Sequence, residues 1–264
     1  MRLAVLVKQV PATDKVKMDE RTGTMIRTEM EAVINPLDLY AVEEAIRTKE
    51  RLQGKAEITV ISMGPAMAID AIRDAISMGC DGGYLISDRK LAGSDTLATA
   101  YALSSTIKKL GGFDIIFTGE RATDGETGQV GPGVGAMLDI PILTYVSMIE
   151  EIEDGRIRVQ RAIEGGHEIV EAPLPALLSV VKEINEPRIP TLNGKIKARN
   201  AEIPILSLED IGADEERVGL RGSPTRVVKI FYPKIARNGE IISAEDVDAA
   251  VDRLIQFLRE REII

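Results

Sequence analysis

The chain has 264 residues, a formal net charge of −9, one cysteine and one histidine. The negative charge argues against nucleic acid or an anionic membrane surface as a main partner, because both are polyanions. The single cysteine, Cys80, excludes an internal disulfide and a cysteine-rich metal site, and the single histidine, His167, excludes any site that needs several imidazoles.

Short apolar runs alternate with helical patterns through the first half of the sequence. Residues 3–7, EITVISM, GGYLIS and FDIIFTG read as strands buried on both faces, and the segments between them have apolar residues at helical spacing. This alternation predicts an α/β fold with a Rossmann-like parallel sheet and flanking helices. No apolar run approaches the length of a membrane span, so we expect a cytoplasmic protein without membrane insertion.

The predicted strands end in turns that contain polar residues, glycine or proline. These are residues 8–11, 63–65 and 118–119. In parallel sheets ligands bind beyond the carboxyl ends of the strands, so these turns are candidates for a ligand crevice. Short loops in any α/β protein look similar, and the turns alone are weak evidence.

The segment TGERATDGETGQVGPGVGAMLDIP, residues 118–141, is unusually rich in glycine. Thr123 and Glu126 have the spacing of a capping box, which would make it an ordinary capped helix. However, glycine and proline inside a helix cost about 1 and about 3 kcal/mol, more than a cap returns. We therefore predict a glycine loop and a helix that begins late, near residues 127–131, with free amides that attract a nucleotide phosphate. The segment is neither a Walker A motif nor a GxGxxG motif.

The pattern changes after Pro141. Residues 153–155 and 164–166 are hairpin signals between alternating strands. Beyond residue 204 no compact unit is evident until a strand at 226–232 and a helix from 244 to about 261. This pattern predicts two domains, residues 1–204 and 205–264. The second is either an arm that packs on another subunit or a terminal helix that packs on its own domain.

With these segments in place, the chain resembles the β subunit of electron transfer flavoproteins over essentially its whole length. Four segments carry the resemblance: VKQVP at 7–11, NPLD at 35–38, ATDGETGQVGPG at 122–133, and VQRAIEGGHEIVEAPLPALLSV at 159–180. The last segment is long and specific. The resemblance implies a fold like that of the adenine nucleotide α-hydrolases. It also implies a heterodimer with an α subunit that carries the redox flavin and receives the C-terminal arm.

The resemblance also implies a nucleotide in the β subunit, with no catalytic side chain and no metal. The implied cofactor-binding residues are Leu6, Asn35, Pro36, Leu37, Asp38, Met63, Ala122, Thr123, Asp124, Gly125, Glu126, Thr127, Gly128, Gln129, Val130, Gly131, Pro132 and Gly133. The alternative is a purely structural role, with Asn35 and Asp38 as caps of the first helix and Met63 in the core. Asp124 is better suited to a ribose hydroxyl, a metal or the amides of its own loop than to a phosphate.

Family position further implies that residues 187–199 dock onto partner dehydrogenases, with Leu192 as the apolar anchor. An exposed leucine inside a charged rim is a common arrangement at interfaces. A solvated basic turn is the alternative interpretation of the same residues.

Two subtypes share this family pattern. Plain carriers hold structural AMP and shuttle electrons from dehydrogenases of the acyl-CoA type. Bifurcating members hold a second FAD that oxidises NADH and passes electrons to ferredoxin or flavodoxin and to a dehydrogenase or a quinone oxidoreductase. Pro11, Asp38, Gly125 and QVGP resemble the second subtype, so we expect FAD, with AMP as the alternative cofactor. Outside the family, a nucleotide-binding sensor of the same superfold and a scaffolding protein are the remaining interpretations.

Overall fold

The computed structural model describes residues 1–12, 32–153, 155–228 and 246–264. It contains two compact units, Met1–Val228 and Lys229–Ile264. The first unit therefore extends beyond the boundary that we predicted after residue 204.

The elements follow each other in the order that the sequence suggested for the first half. In chain order they are β1 (Arg2–Leu6), β2 (Gln9–Pro11), β3 (Ala32–Ile34), α1 (Asp38–Arg51), β4 (Glu57–Met63), α2 (Ile69–Met78), β5 (Gly82–Ile86), α3 (Thr96–Lys109), β6 (Ile115–Gly119), α4 (Val130–Leu138), β7 (Ile142–Glu153), β8 (Arg156–Ile163), β9 (Gly166–Pro173), β10 (Ala176–Val180), α5 (Leu192–Asn200), β11 (Ile205–Leu206), α6 (Gly219–Gly222) and α7 (Val247–Glu260).

The first unit is built on a sheet with the strand order β11-β5-β4-β1-β6-β10-β7-β8-β9. Pairing is parallel from β11 to β7, and β8 and β9 continue the sheet as antiparallel strands. Strands β2 and β3 form a separate antiparallel pair. The predicted α/β class with a mostly parallel sheet and flanking helices is confirmed.

The central strands are apolar throughout because helices cover both faces. Leu3 and Val5 of β1 belong to a core cluster that includes residues of α1 and α2, whereas Ala4 and Leu6 belong to a second cluster with residues of α3 and α4. Alternate residues of a strand point to opposite faces, so a continuous apolar run supplies both layers. The apolar runs in the sequence correctly indicated this arrangement.

Helix α4 begins at Val130, as predicted for a late start. The capping-box interpretation of Thr123 and Glu126 is wrong, because the residue before the helix is Gln129 and no side chain caps it. The hairpin signal at 164–166 connects β8 and β9. The signal at 153–155 falls between β7 and β8, but Asp154 lies outside the described residues.

Residues 205–225 differ from the sequence-based expectation that no compact unit follows residue 204. Leu85 N–H donates to the Pro204 carbonyl and Ser87 N–H to the Leu206 carbonyl, so the chain returns to the open edge of β5. A two-residue strand is too short to leave a periodic pattern in the sequence. Of the strand predicted at 226–232, residues 226–228 are not in a strand and the rest lies outside the described residues.

Helix α7 lies in the second unit and has Asp246 as its N-cap, with the carboxylate accepting from Ala249 N–H at 3.0 Å. Val247, Val251 and Leu254 are exposed along it. Across the ranges that the structure describes, no helix is both long and apolar enough to cross a bilayer.

Candidate functional site

A cavity of about 700 Å³ opens at the carboxyl ends of β5, β4, β1 and β6. The chain runs from β1 to β4 and β5 on one side and then crosses to β6 on the other side of β1. Such a reversal of strand order leaves a crevice in which α/β proteins bind ligands. The volume is within the range of about 300–1,000 Å³ that is usual for small-molecule sites.

The glycine loop, residues 120–129, forms one side of this cavity and leads into α4. Within it, Gly125 and Glu126 N–H both donate to the Ala122 carbonyl, and Glu126 and Gly128 have positive φ angles. Among the described residues, the amides of residues 127–131 have no hydrogen-bond acceptor apart from any that a ligand supplies, and Pro132 has no amide hydrogen. Unpaired amides before a helix form an anion site.

At the floor of the cavity, two positions require glycine because neighbouring side chains lie too close for a Cβ atom. A Cβ on Gly119, at the end of β6, would lie 2.5 Å from the Asp38 carboxylate. A Cβ on Gly131 would lie 2.7 Å from Thr118 Oγ1, so any side chain there would push α4 away from β6. Thr118 Oγ1 is buried and has no hydrogen-bond partner within the described residues.

Other glycines of this segment serve helix packing, which the sequence reasoning did not foresee. A Cβ on Gly133 would lie 3.0 Å from Ala100 of α3, and one on Gly135 would lie 2.5 Å from Ile142. The absence of a side chain at these positions allows α4 to lie close to its neighbours.

Asn35 holds the glycine loop against the start of α1. Its side-chain NH₂ donates to the Asp38 carboxylate and to the Arg121 carbonyl, each at 2.9 Å, and its oxygen accepts from Thr123 N–H at 3.1 Å. Asn35 is fully buried. Its polar atoms are thus hydrogen-bonded within the protein, and it positions the loop without lining the cavity.

Asp38 lies at the floor of the cavity and accepts a hydrogen bond from Lys8 N–H at 2.8 Å. Burial raises the pKa of Asp38 to about 7, against the opposing effect of the hydrogen bonds from Asn35 and Lys8. The side chain of Lys8 reaches Asp124 at 2.7 Å. Asp124 therefore forms an ion pair with Lys8, which is not among the partners that the sequence suggested for it.

The structure brings most of the predicted cofactor-binding residues together. Those that line the cavity are Leu6, Asp38, Met63, Ala122, Gly125, Glu126, Thr127, Gly128, Gln129, Val130 and Gly131. Those that do not line it are Asn35, Pro36, Leu37, Thr123, Asp124, Pro132 and Gly133. The second group lies next in sequence to the first, and Asn35 and Asp124 act on the loop through hydrogen bonds.

Sequence reasoning missed the far side of the cavity. Ser87 and Asp88 follow β5, residues 91–96 lead into α3, and Thr99 and Leu103 lie on α3 itself. The end of β5 was available as a signal, because it is a strand end like the three that we singled out. Nothing in the local pattern of residues 91–96 distinguishes them from an ordinary helix start.

The segment predicted to dock, residues 187–199 (the docking segment), contains most of α5 and presents apolar side chains outward. Ile189 is 88% exposed and Leu192 is 75% exposed. Thr191 caps α5 by accepting from Gly194 N–H at 3.0 Å. The predicted anchor, Leu192, is therefore accessible and is the first residue of the capped helix α5.

Arg188 fixes the start of this segment on α1. Its guanidinium contacts the Glu43 carboxylate at 2.8 Å and the Glu50 carboxylate at 2.7 Å. Burial works against ionisation of Glu43, but hydrogen bonds from Arg188 and Arg47 outweigh it and hold the pKa of Glu43 below its usual range. The hydrogen bonds to Glu50 and Glu43 raise the pKa of Arg188.

No group of three or more His, Cys, Asp or Glu side chains within the described residues is arranged to hold a metal ion. Cys80 is buried, and burial raises the pKa of its thiol to about 12. The thiol is therefore structural rather than reactive.

Comparison with known families gives one match, to the electron transfer flavoprotein domain, over residues 22–211. Among similar proteins, the electron transfer flavoprotein subunit beta of Thermoanaerobacterium thermosaccharolyticum is 46% identical, with 100% of each chain covered. The subunit CarD of the caffeyl-CoA reductase-Etf complex of Acetobacterium woodii is 41% identical, also with 100% of each chain covered. Protein FixA of Azotobacter vinelandii is 42% identical, over 94% of this chain and 90% of the relative.

Proposed function

This chain belongs to the electron transfer flavoprotein family as a β subunit, and we propose that it binds FAD in the cavity at the carboxyl ends of β5, β4, β1 and β6. In an αβ heterodimer, the chain's residues would hold FAD for the oxidation of NADH, with ferredoxin or flavodoxin and a dehydrogenase or quinone oxidoreductase as the proposed electron acceptors. The proposed site of action is the cytoplasm.

The observation that carries the proposal is the run of unpaired amides at residues 127–131. A dinucleotide brings two linked phosphates to the protein, whereas AMP brings one. The diphosphate therefore needs more backbone donors and more open space, and a helix start behind a glycine loop supplies both. Gly131 keeps these amides close to the end of β6, where the buried Thr118 hydroxyl also lacks a protein partner.

The remaining residues of the cavity suit an adenine nucleotide. Leu6, Met63 and Leu91 supply apolar surface for a flat base, and the amides of residues 127–131 suit the phosphates. Lys8 and Arg121 place positive charge at the rim, although Lys8 is paired with Asp124 and Arg121 with Glu120. When bound, FAD supplies the capacity to accept a hydride and release electrons singly. The chain's own residues bind it and orient it.

The relatives support the bifurcating subtype. CarD is named as a subunit of a caffeyl-CoA reductase-Etf complex and is similar over the whole chain. By analogy we propose that this chain also works in contact with a dehydrogenase, and that the docking segment with Leu192 is the contact. The apolar side chains of α7 in the second unit suit packing on the α subunit.

The nucleotide content of the purified αβ complex tests the proposal. We expect two FAD per heterodimer after denaturation and bleaching of the flavin spectrum on addition of NADH. Release of one FAD and one AMP, with no response to NADH, would identify a plain carrier instead. Absence of any nucleotide beyond the α flavin would remove the cavity from the function.

A further inference from the structure

The cavity wall, residues 91–96, lies outside the four sequence segments that carry the family resemblance. It connects β5 to α3 and faces the glycine loop across the cavity. A cavity wall that is formed by a loop needs contacts from neighbouring residues to keep its conformation. In this chain the strap, residues 215–225, packs behind it.

Asp95 is the point at which wall and strap meet. One carboxylate oxygen caps α3 by accepting from Leu97 and Ala98 N–H at 3.0 and 3.1 Å. The other accepts from the amide and the hydroxyl of Thr225 at 3.0 and 2.8 Å. The amide of Asp95 donates to Ser223 Oγ at 2.8 Å. Both oxygens and the amide are therefore committed to holding the wall.

Other residues of the wall and the strap are also joined, by hydrogen bonds and by close packing. Gly219 N–H donates to Ser94 Oγ at 2.9 Å, and Ser94 donates in turn to the Leu91 carbonyl at 2.7 Å. Gly219 has a positive φ and lies so close to the Lys90 carbonyl that no side chain fits there. The side chain of Leu220 fills the space beside Gly93, where a Cβ would lie 2.6 Å from it.

The charge state of Asp95 suits this role. Partial burial works against ionisation, but hydrogen bonds from Ala98 N–H and from Thr225 outweigh it and hold the pKa of Asp95 below its usual range. An ionised carboxylate accepts stronger hydrogen bonds than a neutral group does. The strap is thus bound to the wall by charge-assisted hydrogen bonds.

From this geometry we infer that Asp95 is a positioning residue: together with Ser223 and Thr225 it fixes the cavity wall and sets how long an adenine nucleotide stays bound. The inference rests on the proposed nucleotide-binding function. It assigns to the strap a role in retaining the nucleotide, in addition to its packing.

Thr225→Val and Thr225→Ser in the αβ complex test the inference. Valine keeps the shape of the side chain and the amide donor but removes the hydroxyl donor to Asp95, whereas serine keeps both donors. We expect FAD, or AMP in a complex loaded with AMP, to dissociate about tenfold faster from the valine variant. The serine variant is expected to stay within about twofold of the original rate. Fluorescence of released FAD and binding of labelled AMP measure the two rates.

Thr106→Val is the matched control. It removes a hydroxyl that donates to the Ala102 carbonyl at 2.9 Å. Thr106 lies in α3, the helix that Asp95 caps, but does not line the cavity. Equal dissociation rates for Thr225→Val and the unmodified complex would overturn the inference, as would an equal acceleration in the control. If the valine variant does not assemble, Ser223→Ala serves in its place. An unmodified complex that retains neither FAD nor AMP would overturn the proposed function itself.

Discussion

The glycine loop and the docking segment use their polar groups in opposite ways. In the loop, the amides of residues 127–131 have no acceptor within the described part of the chain. In the docking segment, Arg188 commits its guanidinium to Glu43 and Glu50. Ile189 and Leu192 are exposed there, among exposed basic side chains. The first surface suits a small anion and the second a protein partner. The two functions should therefore respond to separate mutations.

The largest effect is expected from Gly131→Val. The added side chain would meet Thr118 Oγ1, so α4 and its unpaired amides would move away from β6. Loss of two or three hydrogen bonds to phosphate, at about 1.5–3 kcal/mol each, should leave the β site empty of nucleotide. Nucleotide content after denaturation measures this. Gly82→Val is the control, because a Cβ at Gly82 meets nothing within 4 Å.

The separation of the two surfaces would be contradicted if Gly131→Val also weakened binding to the partner dehydrogenase while its fold stayed intact. Binding of the purified complex to that dehydrogenase gives this second measurement.

Leu192→Ala should act on the other surface. Removal of an interface anchor costs about 2–4 kcal/mol, so we expect kcat/KM for electron transfer to the dehydrogenase to fall while nucleotide content stays the same. Ile163→Ala is a matched control, because Ile163 is also an exposed apolar side chain but lies at the end of β8. Unchanged transfer at sub-saturating dehydrogenase would exclude Leu192 from the interface.

The smallest effect is a pH dependence that arises from Asp38. Its pKa is about 7 in the folded chain, whereas an unfolded aspartate titrates near about 3.9. Between these values the folded chain binds a proton that the unfolded chain has lost, so stability falls as pH rises. The slope is at most about 1.4 kcal/mol per pH unit.

Asp38→Asn should remove this slope, and urea unfolding between about pH 5 and about pH 7.5 measures it. Asp139→Asn is the control, because Asp139 is exposed at the end of α4. Parallel pH curves for the unmodified chain and Asp38→Asn would show that burial does not perturb this carboxyl.

The sequence was sufficient to predict the strands of the parallel sheet and the late start of α4, since apolar runs and helix breakers are local signals. It did not reveal the far wall of the cavity or the Arg188 cluster. Arg188 and Glu43 are 145 positions apart, and their contact depends on how the segment before α5 packs on α1. Such pairs follow from tertiary packing and have no local pattern.

The placement of β11 has a consequence for association of the chain with itself. Without residues 205–206, β5 would end the sheet with a row of free backbone groups, which is a template for aggregation. The strand is short, but with the Pro204 and Leu206 carbonyls it satisfies the amides of Leu85 and Ser87. The opposite edge, β9, carries Glu168, Glu171 and Pro173. Charge and proline discourage pairing there, so the two edges are protected by different means.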